Sequence, residues 1–114
     1  MNIVNEIDLT TSMQRDITVE FGRTLLAEFE TSGMTGFYLS GYTGSSLVVL
    51  NQQGQTVSTY SIADGSIIIE DSVITLNKTY EEMSYVRRGQ YQYTWYVNND
   101  TERYGLFRGK YIII

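Results

Sequence analysis

The chain contains no cysteine, no histidine and no proline, and each absence closes off a class of chemistry or structure. Without cysteine there is no disulfide, no thiolate nucleophile and no thiolate metal site. Without histidine the usual general base near neutral pH is missing, and so is the commonest transition-metal ligand. Without proline, turns fall to the ten glycines and to Asn and Asp, which tolerate positive φ or bond locally to the backbone. Positive charge is scarce too: eight Lys and Arg stand against thirteen Asp and Glu, a net charge of -5. That is the wrong sign for a phosphate backbone, so no nucleic-acid partner is expected. Arg87-Arg88 and the group Arg103, Arg108 and Lys110 read as scattered surface charge. No apolar run approaches the ~20 residues needed to cross a bilayer. The start, Met1-Asn2-Ile3-Val4-Asn5-Glu6, lacks the basic and apolar segments of a secretion signal, and synthesis in a cytoplasm without membrane insertion is expected.

Tyrosine is conspicuous among the residues present, with ten copies against four Phe and one Trp. A length of 114 residues suits a single domain with one two-layer core. The clearest pattern lies in the last quarter, where Tyr91, Tyr93, Trp95 and Val97 alternate with Gln90, Gln92, Thr94, Tyr96 and Asn98. Alternation of this period gives a strand with one aromatic, buried face and one amphipathic face. Asn98-Asn99-Asp100-Thr101-Glu102-Arg103 supplies a turn, and the returning strand finishes on Ile112, Ile113 and Ile114. Three terminal isoleucines imply a chain end packed against its own sheet or against a neighbouring subunit.

Earlier in the chain, residues 2–9 alternate weakly and read as a first strand, broken at Thr10-Thr11-Ser12. Residues 15–21 place Ile17, Val19 and Phe21 on one face and Asp16, Thr18 and Glu20 on the other, a half-buried strand. Residues 22–30 are ambiguous between a short helix carrying Leu25, Leu26 and Phe29 on one side and a strand; strand neighbours on both flanks favour the strand. After a loop over residues 31–36, further strands are expected at 45–50, 56–62, 66–70 and 73–76. The segments between them, Asn51-Gln52-Gln53-Gly54-Gln55, Ala63-Asp64-Gly65 and Asp71-Ser72, are turns. Asn77-Lys78-Thr79-Tyr80-Glu81-Glu82-Met83 has the form of a capped helical turn. Turn signals recurring roughly every 8–12 residues indicate an all-β sandwich or barrel.

No constellation of catalytic residues emerges. The carboxylate pairs Glu70-Asp71, Glu81-Glu82 and Asp100/Glu102 are adjacent or nearly so, and neighbours in a strand point to opposite faces, unlike the facing acids of a glycosidase. Asp64, Asp71 and Asn98/Asp100 lack the dense spacing of a calcium loop. Gly41-Tyr42-Thr43-Gly44 and Arg108-Gly109-Lys110 do not have the spacing of phosphate loops. Tyr80, Tyr96, Tyr104 and Tyr111 are rings able to stack on sugars or to serve half-wet protein interfaces, which makes a carbohydrate-binding module the rival to a protein-docking role. No enzyme activity, metal or cofactor is expected.

Six segments fall in an order with a family likeness: Ile7-Asp8-Leu9-Thr10, Leu39-Ser40-Gly41-Tyr42-Thr43, Ile74-Thr75-Leu76, Thr79-Tyr80-Glu81-Glu82-Met83, Gly89-Gln90-Tyr91-Gln92-Tyr93 and Leu106-Phe107-Arg108-Gly109-Lys110. The set resembles the immunoglobulin-like β-sandwich domains of tailed-phage structural proteins, such as the N-terminal domain of siphophage upper baseplate proteins. The chain departs from that layout in its shortened, proline-free stretch between Phe21 and Phe37, and in Ser40 where Thr is usual. The resemblance implies an immunoglobulin-like two-sheet antiparallel β-sandwich with one short helical turn, spanning residues 1–114. It also implies a bacteriophage virion protein, a small docking module of the tail, baseplate or fibre attachment, with capsid decoration as the alternative. Its partners would be other virion structural proteins or further copies of itself. The expected interface is Ile112, Ile113, Ile114, Tyr96, Tyr104 and Tyr111.

Overall fold

The computed structural model describes residues 13–30 and 41–114. In chain order the elements are β1 (Met13–Gln14), β2 (Ile17–Val19), β3 (Leu25–Glu30), β4 (Gly44–Leu50), β5 (Thr56–Ser61), β6 (Ile67–Glu70), β7 (Val73–Lys78), α1 (Tyr80–Met83), β8 (Gly89–Asn98) and β9 (Arg103–Ile113). The strand expected over residues 2–9, the break after it and the loop over residues 31–36 lie outside the described residues.

The ambiguous segment is a strand. Leu25 through Glu30 pair residue for residue with Lys78 back to Val73, so Leu25, Ala27 and Phe29 turn inward while Leu26 is left 70% exposed. A helix would have gathered Leu25, Leu26 and Phe29 on one side. The strand instead satisfies its backbone against β7 and buries only alternate residues, which shows pairing overriding propensity. The turns use the expected residues: Gly54 and Gly65 have φ of 79° and 84°, and Asp71 has φ of 52°. Asn99 organises the last turn, its Oδ1 accepting from the backbone N–H groups of Thr101 at 3.0 Å and Glu102 at 2.8 Å. The helical turn α1 is closed by a capping box. Thr79 Oγ1 accepts from Glu82 N at 3.2 Å, and Glu82 Oε1 accepts from Thr79 N at 3.0 Å.

The strands form two sheets, β1-β9-β8-β4-β5 with β2 also on β9, and β3-β7-β6. In immunoglobulin lettering the smaller sheet is B-E-D and the larger is G-F-C with one added edge strand, so the chain is an immunoglobulin-like sandwich. Its ladders are antiparallel except where β1 and β2 lie parallel to β9. That parallel pairing is possible because the whole intervening chain acts as the crossover. A tyrosine corner is present as well: Tyr91 Oη donates to the Arg87 carbonyl at 2.8 Å, just ahead of the buried part of β8.

Between the sheets, rings take the place of the disulfide that cysteine's absence rules out. Trp95 is fully buried. Phe29 meets it edge-on, at 5.1 Å between centroids, and Phe107 lies at 5.7 Å. Its Nε1 donates to Ser45 Oγ at 2.9 Å, and the Ser45 hydroxyl donates in turn to the Tyr96 carbonyl at 2.7 Å. Each polar group therefore has a partner, which removes the cost of burying it.

The C-terminal strand packs within its own sheet, the first of the two possibilities its terminal isoleucines left open. β9 runs between β8 on one side and β1 and β2 on the other. Gly109 permits this close approach: a Cβ there would stand 2.5 Å from the Arg15 carbonyl oxygen. Around it, Arg15 N donates to the Arg108 carbonyl at 2.7 Å, Lys110 N donates to Asp16 Oδ1 at 3.0 Å, and Tyr93 Oη donates to the Arg15 carbonyl.

Candidate docking surface

The six residues expected at an interface separate into four places. Tyr111 and Ile113 are core, only 2% and 4% exposed. The Tyr111 hydroxyl lies 2.5 Å from that of Tyr60, whose own proton reaches Met83 Sδ at 3.8 Å. Burial pushes both phenols above their ordinary ionisation range. Neither residue is available to a partner, because β9 alternates inward at odd positions beyond Phe107.

Tyr96 and Ile112 share the outer face of the larger sheet, half-buried, with Tyr96 opposite Ser46 and Ile112 between Thr18 and Gln90. Tyr104 sits at the rim of the sandwich, edge-on to Tyr42 at 6.2 Å, and its hydroxyl donates to the Glu102 carboxylate. That hydrogen bond, more than desolvation, raises its pKa. Ile114 is 60% exposed, yet its backbone is tied down: its N–H donates to Val19 O at 2.9 Å and its carbonyl accepts from Phe21 N at 3.0 Å.

The larger sheet's outer face gathers three cations that look scattered in the sequence. Lys110 lies opposite Gln92, Arg108 opposite Thr94 and Arg103 opposite Asn98, all on the side away from Tyr93 and Trp95. The Arg103 guanidinium stacks on the Tyr96 ring at 4.1 Å, a cation–π contact at an exposed site. The three cations taken as scattered are therefore on one face. For Arg108 and Lys110 the shared parity with Ile112 was a usable signal. For Arg103 it was not, because a bulge between Trp95 and Tyr96 shifts the register and reverses the alternation. Two shallow adjoining grooves of about 300 and 330 Å³ cross this face, meeting at Leu50 and Gln92 and walled by Gln14, Gln90 and Lys110 among others.

The smaller sheet turns the opposite charge outward. Glu28 on β3 lies in one row with Thr75 and Ile68, and Glu30 and Glu70 flank Val73 in the next. Leu26 and Ile68 are the exposed apolar residues there, at 70% and 45%. Sheet edges are less inviting than sheet faces. On β5 the register shifts opposite Leu50, and the Ser61 N–H is taken by Ser66 Oγ at 2.9 Å, so that edge is blunted at both ends. Among the described residues no group of three or more His, Cys, Asp or Glu is placed to hold a metal ion. No helix there is long and apolar enough to cross a membrane.

No family model matches the sequence, and no curated protein matches it. Among solved structures it is similar to CopC from Methylosinus trichosporium OB3b, at 14% identity over 90% of this chain and 82% of that one, with a TM-score of 0.45. It is similar also to the N-terminal Ig1-2 module of the Drosophila receptor protein tyrosine phosphatase DLAR. There the identity is 12%, the TM-score is 0.35, and the match covers 96% of this chain and 50% of that one. The immunoglobulin-like assignment itself stands on the strand order and register of this chain.

Proposed function

We propose that this chain is a non-catalytic docking module of a bacteriophage virion, made in the host cytoplasm and seated on the tail, baseplate or fibre attachment. One observation carries the docking role: the two outer faces differ in net charge, with Glu28, Glu30 and Glu70 on one and Arg103, Arg108 and Lys110, beside a single Asp16, on the other. Flat, charged and amide-rich faces suit contact with protein surfaces, where electrostatic complementarity sets orientation and partner. The virion setting is supported by the ordered segments that resemble tailed-phage immunoglobulin-like domains. The test is mass spectrometry of purified particles and of their separated tails and capsids. Stoichiometric recovery with tails supports the reading, recovery with capsids alone converts it to decoration, and absence from particles overturns it. A carbohydrate-binding role is the second reading, favoured by the amide-walled grooves beside Tyr91. Saturable glycan binding by the isolated chain, lost on Gln92→Ala, would establish it instead.

A further inference from the structure

We propose that the chain associates with copies of itself head to tail, the acidic outer face of β3-β7-β6 in one copy docking on the basic outer face of β9-β8-β4 in the next. This goes beyond the virion reading and does not depend on it.

The two faces match in sign, spacing and apolar content. Glu28 and Glu30 are two residues apart on β3, and Arg108 and Lys110 are two residues apart on β9. Each pair therefore spans about 6.8 Å along its strand, so a single alignment brings both acids to both bases. Sheets stacked face to face keep their strands within about 30° of one another, which preserves that alignment. With β3 laid antiparallel over β9, and so β6 over β4, that same alignment sets Leu26 over the half-buried Ile112 and Ile68 over the half-buried Leu50. Stacking like faces would instead set glutamates against glutamates or cations against cations, so a two-fold dimer through either face is disfavoured. The contact joins different surfaces and does not close on itself, giving open stacks.

Size fixes the strength. Strands of six, six and four residues, about 4.8 Å apart and rising about 3.4 Å per residue, present roughly 260 Å², well below the ~800 Å² per partner of stable complexes. The association is accordingly weak, salt-sensitive and suited to chains already concentrated on a lattice.

The experiment is sedimentation equilibrium of the full chain over a concentration series at low ionic strength, repeated at about 0.5 M salt, where the Debye length is near 4 Å. Weight-average mass should rise with concentration beyond that of a dimer at low salt, and return to the monomer value at high salt. The double variants Glu28→Lys/Glu30→Lys and Arg108→Glu/Lys110→Glu should each weaken association at least ~10-fold. Mixing the two variants should restore it, because one variant keeps the native basic face and the other keeps the native acidic one. The reversals move the net charge of -5 by four in either direction, to -1 and -9. Both variants therefore stay negative overall, and non-specific attraction does not explain recovery. Trp95 fluorescence checks that each variant is folded. A monomer at every concentration, association indifferent to both reversals, or a mixture that stays monomeric would each overturn the proposal.

Discussion

Three consecutive isoleucines of identical chemistry should respond to truncation in three different ways. Ile113 is 4% exposed and paired on both sides, with Gly89 and with Val19. Replacing it with Ala removes a buried side chain worth about 1.5–3 kcal/mol by transfer and leaves a cavity, for a total of about 2–5 kcal/mol. Ile112 points to the outer face and is half-buried; its truncation leaves no closed cavity and costs about 1 kcal/mol, part of that being lost β-propensity. Ile114 is 60% exposed and contributes through its backbone, so Ile114→Ala should fall within about 0.5 kcal/mol of wild type. Urea unfolding followed by Trp95 fluorescence measures all three, and a constant m-value confirms that only the native state has changed. The ranking Ile113, then Ile112, then Ile114 is the test. Equal effects for Ile112 and Ile113, or a larger effect at Ile112, would refute it, since a slip of one residue exchanges the two faces of β9.

Trp95→Ala should cost about 3–5 kcal/mol, a large part of ordinary domain stability; free quenching of native Trp95 fluorescence by acrylamide would contradict its burial. Gly109→Ala should destabilise by about 1–3 kcal/mol, because the new methyl meets the backbone oxygen of Arg15 at 2.5 Å. Amide exchange should quicken at Ile17 and Val19, and unchanged stability would mean that β1 and β2 do not cross β9 as described. Burial pushes the phenols of Tyr60, Tyr93 and Tyr111 upward. Raised folded-state pKa values contribute stability that is full below the ordinary tyrosine range near 10 and is lost as pH rises through it. In an absorbance titration at alkaline pH these three of the ten tyrosines should ionise only as the chain unfolds, and normal titration of all ten in the folded state would refute it.

Much of the architecture follows from local rules that act within a few residues. Alternation assigned Tyr93, Trp95 and Val97 to one face of β8, and all three are buried. The segment 77–83, read as a capped helical turn, is one, closed by a capping box between Thr79 and Glu82. Gly54, Gly65 and Asp71 turned the chain where residues of their kind lower the cost of positive φ. Such features are legible because the physics that makes them is contained in the segment. The strand partners of β9 are not contained in any segment. The terminal isoleucines left open packing against the chain's own sheet or a neighbouring subunit, and the return of β1 and β2 to the far side of β9 decided for its own sheet. Register against β8, which sets Tyr111 opposite Tyr91 and Ile113 opposite Gly89, turned those two into the core and away from the interface expected of them. The bulge beside Trp95 and Tyr96 likewise moved Arg103 onto the face of Arg108 and Lys110, turning charge that looked scattered into one basic surface. Alternation is a property of the strand, whereas register and neighbours belong to the sheet, and the charge on each outer face is set by the sheet.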